Sequence, residues 1–258
     1  MDHVSAVPQR HSLNGRPAIR YVKCAAMAVA FIVLARACVL AYPQPLFSNH
    51  TVYQNYEIWS DQPIAPHITQ VLDDATRRLR TSELYDPERK IRVFFCNASW
   101  RIQLLFHSKA GGQTYTWLTP NVFIRASDIA SNRIYSPGPG PISDAEHRPL
   151  SYFIAHETTH AMEASAFGQL MELRYPTWLV EGYADYVGKG GDFDFDENRR
   201  LLVGGSPLLD FQRSVLYRGY ELEVFYLLNK KGLTVMQVFA NPPRERDLLE
   251  LLRSNSTL

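Results

Sequence analysis

Residues His156-Glu157-Thr158-Thr159-His160 spell H-E-x-x-H, and Glu181 follows His160 by twenty-one positions in the run Trp178-Leu-Val-Glu181-Gly-Tyr-Ala-Asp185. On a helix, positions i and i+4 share one face, so both imidazoles can reach a single metal ion. Glu157 sits one step round the same helix, placed to touch a water on that metal rather than to ligate it. Two nitrogen ligands leave a third position open, which Glu181 can fill. Three protein ligands plus a water is the arrangement of a catalytic zinc site, one ion per chain, and not of a closed structural one.

The context of both segments is helical. Pro149 suits a first helical turn, and Phe153, Ile154, Ala155, Ala161 and Ala164 surround the histidines with apolar side chains. In the second segment Pro176 ends what precedes, Thr177 can cap, and Gly188-Lys-Gly-Gly is a stop signal. Asp185 lies four residues after Glu181, on the same face, where it can accept a hydrogen bond from the back nitrogen of a ligand histidine.

H-E-x-x-H followed at this distance by E-x-x-x-D resembles the gluzincin zinc peptidases, the group containing thermolysin and the zinc aminopeptidases. Pro176-Thr-Trp-Leu-Val-Glu-Gly-Tyr-Ala-Asp-Tyr-Val187 is similar to the W-x-x-E-G-x-A helix of small peptidase MA-like domains. The resemblance is confined to about residues 149–230. It implies that His156, His160 and Glu181 ligate zinc, that Glu157 is the general base, and that Asp185 orients His156. It also implies an oxyanion donor among the tyrosines of a downstream helix, where Tyr217, Tyr220 and Tyr226 are available. Peptidase MA-like domains carry a Tyr at the head of a comparable helix, which favours Tyr217 over Tyr220. The aminopeptidase pattern departs here, because its Tyr stands three residues before a Gly and that position is Leu216. No G-x-M-E-N-like segment is present to hold a free amine. In gluzincins the strand before the zinc helix borders the substrate cleft, which gives Val122–Arg125 a peptide backbone to pair with.

The amino terminus bears on location. Residues 1–23 carry Arg10, Arg16, Arg20 and Lys23 against one acid, Asp2, and residues 24–42 are apolar apart from Arg36. A basic flank before an apolar run means a cytosolic lead with the remainder exported. The uninterrupted twelve residues Cys24–Ala35 fit a signal peptide with a cleavage site after Val39-Leu-Ala41, whereas the full nineteen residues fit a membrane anchor, with Arg36 snorkelling. The longer reading is preferred because of the long lead. Only Cys96 lies in the body, so 43–258 must stand as one domain on its own core without a disulfide framework. The lead and Arg36 together hold +4 of the chain's net +1, leaving the body at −3, with no basic stripe for nucleic acid. Asn49, Asn97 and Asn255 open N-x-S/T sequons.

Along the body, Pro66–Leu79 reads as an amphipathic helix, Ile91–Cys96 as a strand, and Trp100–Phe106 as a helix. Gln113–Leu118 and Asn121–Arg125 read as paired strands, Tyr135–Ile142 as a Pro-rich loop, and the chain after Glu181 as mostly helical to Leu252. The expected class is α+β: a small mixed sheet packed on the H-E-x-x-H helix, then a helical C-terminal half. Asp192, Asp194 and Asp196 mimic a calcium loop but lack its Gly and closing Glu, so they read as a solvated acidic loop able to bias the cleft toward basic substrates. His50, His67, His107 and His147 have no ligand-spaced partners and stay outside the expected site. The function expected is a zinc-dependent peptidase acting on peptide or protein substrates outside the cytosol. The alternatives are a metallohydrolase on non-peptide substrates and a catalytically silent zinc-binding scaffold.

Overall fold

The computed structural model describes residues 16–135 and 148–254, with side chains from Tyr21 onward in the first helix. The lead up to residue 15, most of the Pro-rich loop, His147 and the Asn255 sequon lie outside the described residues. Helix α1 (Arg16–Ala41) contains a 21-residue stretch, Tyr21–Ala41, long and apolar enough to cross a membrane. At a rise of about 1.5 Å per residue it measures about 32 Å, close to the thickness of a hydrocarbon core. A signal sequence or an anchor has this form.

A separate compact unit runs over Leu40–Leu258, beginning slightly before the expected boundary at residue 43. The cause is local: Leu40 is buried, and Asn121 Nδ2 donates to the carbonyls of Leu40 at 3.0 Å and Ala41 at 3.2 Å.

The body is α+β. Strands β1 (Asn49–Tyr53), β2 (Tyr56–Ser60), β3 (Ile91–Phe95), β4 (Gly112–Thr114) and β5 (Val122–Ile124) form one sheet in the order β1-β2-β3-β5-β4. The outer pairs are antiparallel and the two inner pairs parallel. Val93, Phe94, Phe95 and Val122–Ile124 are fully buried, as expected of parallel strands covered on both faces. The β1–β2 hairpin carries no apolar run in its first strand, which is why the sequence pattern passed over it. The strand expected over Gln113–Leu118 stops at Thr114, because the chain turns at Tyr115, whose carbonyl accepts from Leu118 and Thr119 N–H at 2.8 and 2.9 Å. A two-stranded ribbon, β6 (Ser127–Asp128) with β7 (Arg133–Ile134), follows.

Helices α2 (Ile68–Leu79) and α3 (Ser99–Leu105) precede the central helix α4 (Leu150–Phe167). Every residue from Leu150 to Glu163 is buried, because α4 packs on β4 and β5 and against both α2 and α6 (Thr177–Lys189). Such a helix must be apolar all round, and its polar residues are then conspicuous. Pro149 is the cap of α4 rather than a member of its first turn. Likewise Pro176 caps α6, Thr177 is its first helical residue, and α6 continues through Gly188 and Lys189 to stop at Gly190. Lys189, the last helical residue, is buried in an ion pair with Asp185.

Helix α2 ties both motif helices to one frame. Asp74 accepts from Ser151 Oγ at 2.5 Å at the head of α4, and Arg78 donates to the carbonyl of Gly188 at 2.7 Å at the foot of α6. Beyond come α5 (Met171–Arg174, before α6), α7 (Phe195–Val203), α8 (Phe211–Ser214), α9 (Arg218–Phe225) with a π turn to Lys230, α10 (Val235–Ala240) and α11 (Glu245–Ser254). α9 crosses α6 closely: a Cβ on Gly182 would lie 2.6 Å from the Tyr220 carbonyl oxygen. Glycine after Glu181 is therefore a packing requirement of the helix crossing.

Candidate metal centre

α4 and α6 bring His156, His160 and Glu181 together: one ligand atom from each, all within 4.8 Å of one another. His156 Nε2 is 3.4 Å and His160 Nε2 3.7 Å from Glu181 Oε2, an oxygen that is buried and accepts no hydrogen bond. Two imidazole nitrogens converging on an orphaned carboxylate oxygen are a donor set fit for a metal ion, and N₂O sets with a further open position suit zinc. The same proximity orders the charges. Burial would lower the His160 pKa, but Glu181 and Glu163 outweigh it and hold His160 well above its ordinary value. Burial likewise opposes ionisation of Glu181, yet the two histidines hold its carboxyl well below the usual range.

Glu163 was not among the residues expected here. It is fully buried one turn beyond His160, with Oε2 3.0 Å from His160 Nδ1. That contact presents Nε2 toward the cleft and fixes the tautomer. Burial pushes the Glu163 carboxyl up to about 7, with His160 opposing. The i, i+3 spacing was legible in the sequence, and nothing but its unremarkable composition hid it.

Asp185 is differently placed from the expectation. Its Oδ1 lies 4.0 Å from His156 Nδ1, beyond hydrogen-bond range, and His156 Nδ1 is buried with no partner. The reason is competition. Tyr152 donates its hydroxyl to Asp185 Oδ1 and Lys189 Nζ lies 2.8 Å from Oδ2, while Lys189 also meets Glu221. Burial raises the Asp185 pKa, but Lys189 and its neighbours keep the group ionised.

The three candidate ligand residues line a cleft of about 600 Å³ together with Glu157 and Tyr217. Glu157 points across to β4, where Gly112 leaves it room: a Cβ at 112 would sit 2.4 Å from Glu157 Cγ. Thr114 Oγ1 donates to the Glu157 carbonyl at 3.0 Å, pinning α4 to the strand. Burial raises the Glu157 pKa, with the histidines opposing, which is the direction a general base needs. Tyr217 stands just before α9, its ring stacked on His156 at 5.6 Å. Burial, then the charges of Glu181 and Glu157, raise its pKa and keep the phenol a donor. Tyr220 lines a different cavity, and Tyr226 is fully buried.

Three expectations are corrected. Val122–Arg125 cannot take a peptide strand, since β5 lies between β3 and β4 with both edges paired; the outer strand at the cleft is β4. The acidic loop does not border the cleft: Asp194 caps α7 by accepting from Glu197 N–H at 2.9 Å, and the cleft rim carries Lys109 and Arg148 instead. His107, set aside on spacing, does line the cleft, near the Tyr115 hydroxyl at 3.4 Å.

No protein-family model, no curated protein and no solved structure matches this chain.

Proposed function

We propose that this protein is a zinc-dependent peptidase of gluzincin type, with its body outside the cytosol. The observation that carries the reading is a carboxylate, Glu157, in the same cleft as three convergent metal-ligand atoms yet not one of them. A structural metal site has no use for it. Zinc held by His156, His160 and Glu181 supplies acidification of a water molecule and polarisation of a carbonyl. Glu157 takes the water's proton and returns it to the leaving amine. Tyr217, held protonated, donates to the oxygen on which charge develops. Glu163 holds His160 in register, and Tyr152 and Lys189 hold Asp185 beside His156. The free edge of β4 offers main-chain groups to an extended peptide, which favours peptide over other amide or ester substrates.

Helix α1 supports export, and the burial of Leu40 in the body favours an uncut anchor, since cleavage after Ala41 would remove a core residue. The test is metal analysis of the purified protein together with hydrolysis of a mixed peptide library. His156→Ala, His160→Ala and Glu181→Ala are expected to lose zinc. Glu157→Gln is expected to keep zinc and lose about 10²–10⁴-fold in rate. Parental hydrolysis by Glu157→Gln overturns the catalytic reading. A reporter fused after Leu258 that is active in the cytosol overturns the export reading.

A further inference from the structure

Behind the aromatic wall of the cleft lies a second cavity, of about 410 Å³. Phe211 borders both, its ring stacked on Tyr217 at 5.0 Å and 5.9 Å from that of Tyr220. The second cavity has an acidic interior. Glu223, on α9, is 1% exposed, and its Oε2 is buried with no hydrogen-bond partner. Glu245, half-buried at the start of α11, lines the same space, with Asp210 at the exposed rim. The cavity's basic residues, Arg213 and Arg253, are both exposed.

A buried carboxyl with an unmet acceptor costs stability and calls for an explanation. Burial, reinforced by Glu245 and only partly offset by Arg253, pushes Glu223 up to about 9. Glu223 therefore keeps its proton. A cation entering from solvent would relieve both burial and repulsion, and Glu223 would release that proton to the solvent as the cation binds. The remaining walls include Leu209, Leu249, Phe211 and Tyr220. They suit a ligand with an apolar stem and a charged head, and aromatic faces add attraction for that head. A divalent metal fits less well, since among the described residues only His156, His160 and Glu181 bring three such ligand atoms together.

We propose that this cavity binds the guanidinium or alkylammonium head of a basic side chain, with Glu223 as the counter-ion on its floor and Glu245 beside it. Because Phe211 is common to both cavities, a peptide in the metal cleft would place a Lys or Arg side chain here, and the preferred substrates are peptides bearing one. That second step rests on the peptidase reading, whereas binding of the cation does not.

The experiment is calorimetric titration of the full-length protein, treated with chelator, with N-acetyl-arginine amide and with its neutral counterpart N-acetyl-citrulline amide. The arginine compound is expected to bind about 10–100-fold more tightly, the worth of one charged hydrogen-bonded contact. Glu223→Gln, checked for folding by circular dichroism, is expected to abolish that preference, and Glu245→Gln to reduce it. Equal binding of the two compounds by the parent, or an undiminished preference in Glu223→Gln, overturns the proposal. In the zinc-loaded protein, kcat/KM for an Arg peptide over its citrulline analogue is expected to follow the same pattern. Absence of all hydrolysis would refute the peptidase reading and leave the binding result standing.

Discussion

Gly112→Ala tests the proposed catalytic geometry without touching a candidate metal ligand. The added Cβ would fall 2.4 Å from Glu157 Cγ, 2.6 Å from Oε1 and 2.8 Å from Cδ. Ordinary carbon contacts lie at about 3.5–4.0 Å, so the Glu157 side chain must move by about 1 Å. It can do so, because the obstructed atoms belong to a side chain rather than to backbone, at an off-rotamer cost of about 0.5–1.5 kcal/mol. The fold should therefore survive with a small fall in Tm. The chemistry should not: displacing a positioned base by about 1 Å costs about 10²-fold, or about 2.7 kcal/mol of transition-state stabilisation. The assay is kcat/KM on one peptide, with zinc content and Tm measured on the same preparation. A double-mutant cycle makes the assignment specific. In a Glu157→Gln background, Gly112→Ala should cost almost nothing more, because the proton acceptor it displaces is already absent. Fully additive losses would place the effect on peptide binding at β4 instead. A Gly112→Ala enzyme within about threefold of the parent would refute the placement of Glu157 as base.

Two further outcomes follow from buried carboxyls. Glu163→Gln keeps an acceptor beside His160 Nδ1 but removes the charge, so zinc affinity measured against a chelating dye should fall about 10–100-fold; unchanged affinity would deny Glu163 its orienting role. Glu223, pushed up to about 9 from the ordinary glutamate value of 4.5, keeps its proton in the folded chain while the unfolded chain releases it. The parent should therefore lose stability as pH rises between those values, and Glu223→Gln should not. The gap in Tm between variant and parent should widen by at least about 3 °C from pH 5 to pH 8, and a constant gap would contradict the burial argument.

The class of the body was legible in the sequence for reasons particular to its elements. Ile68–Leu79 is amphipathic at helical period, Ile91–Phe95 is a compact β-branched and aromatic run, and both lie as expected. Strand β1 escaped because Asn49-His-Thr carries no alternation, and β4 was read too long because the turn at Tyr115 leaves no mark in the alternation. Helix α6 ends inside the expected Gly188-Lys-Gly-Gly stop, at the left-handed Gly190, with Lys189 as its last residue.

That His156 and His160 share one face of α4, with Glu157 beside them, was determined by the sequence alone, because helical periodicity converts spacing directly into a shared face. Glu163, at i+3 from His160, was legible on the same ground. The arrival of Glu181 from α6 at the histidine pair is set by helix packing. Only the tertiary structure decided which tyrosine faces the cleft, which strand is its free edge, and what Asp185 touches. It alone disclosed that Gly112 makes room for Glu157 and that Glu223 stands in an acidic cavity behind Phe211. These are relations between segments distant along the chain. Their distances are set by how helices and sheet pack, and no period within one segment encodes them.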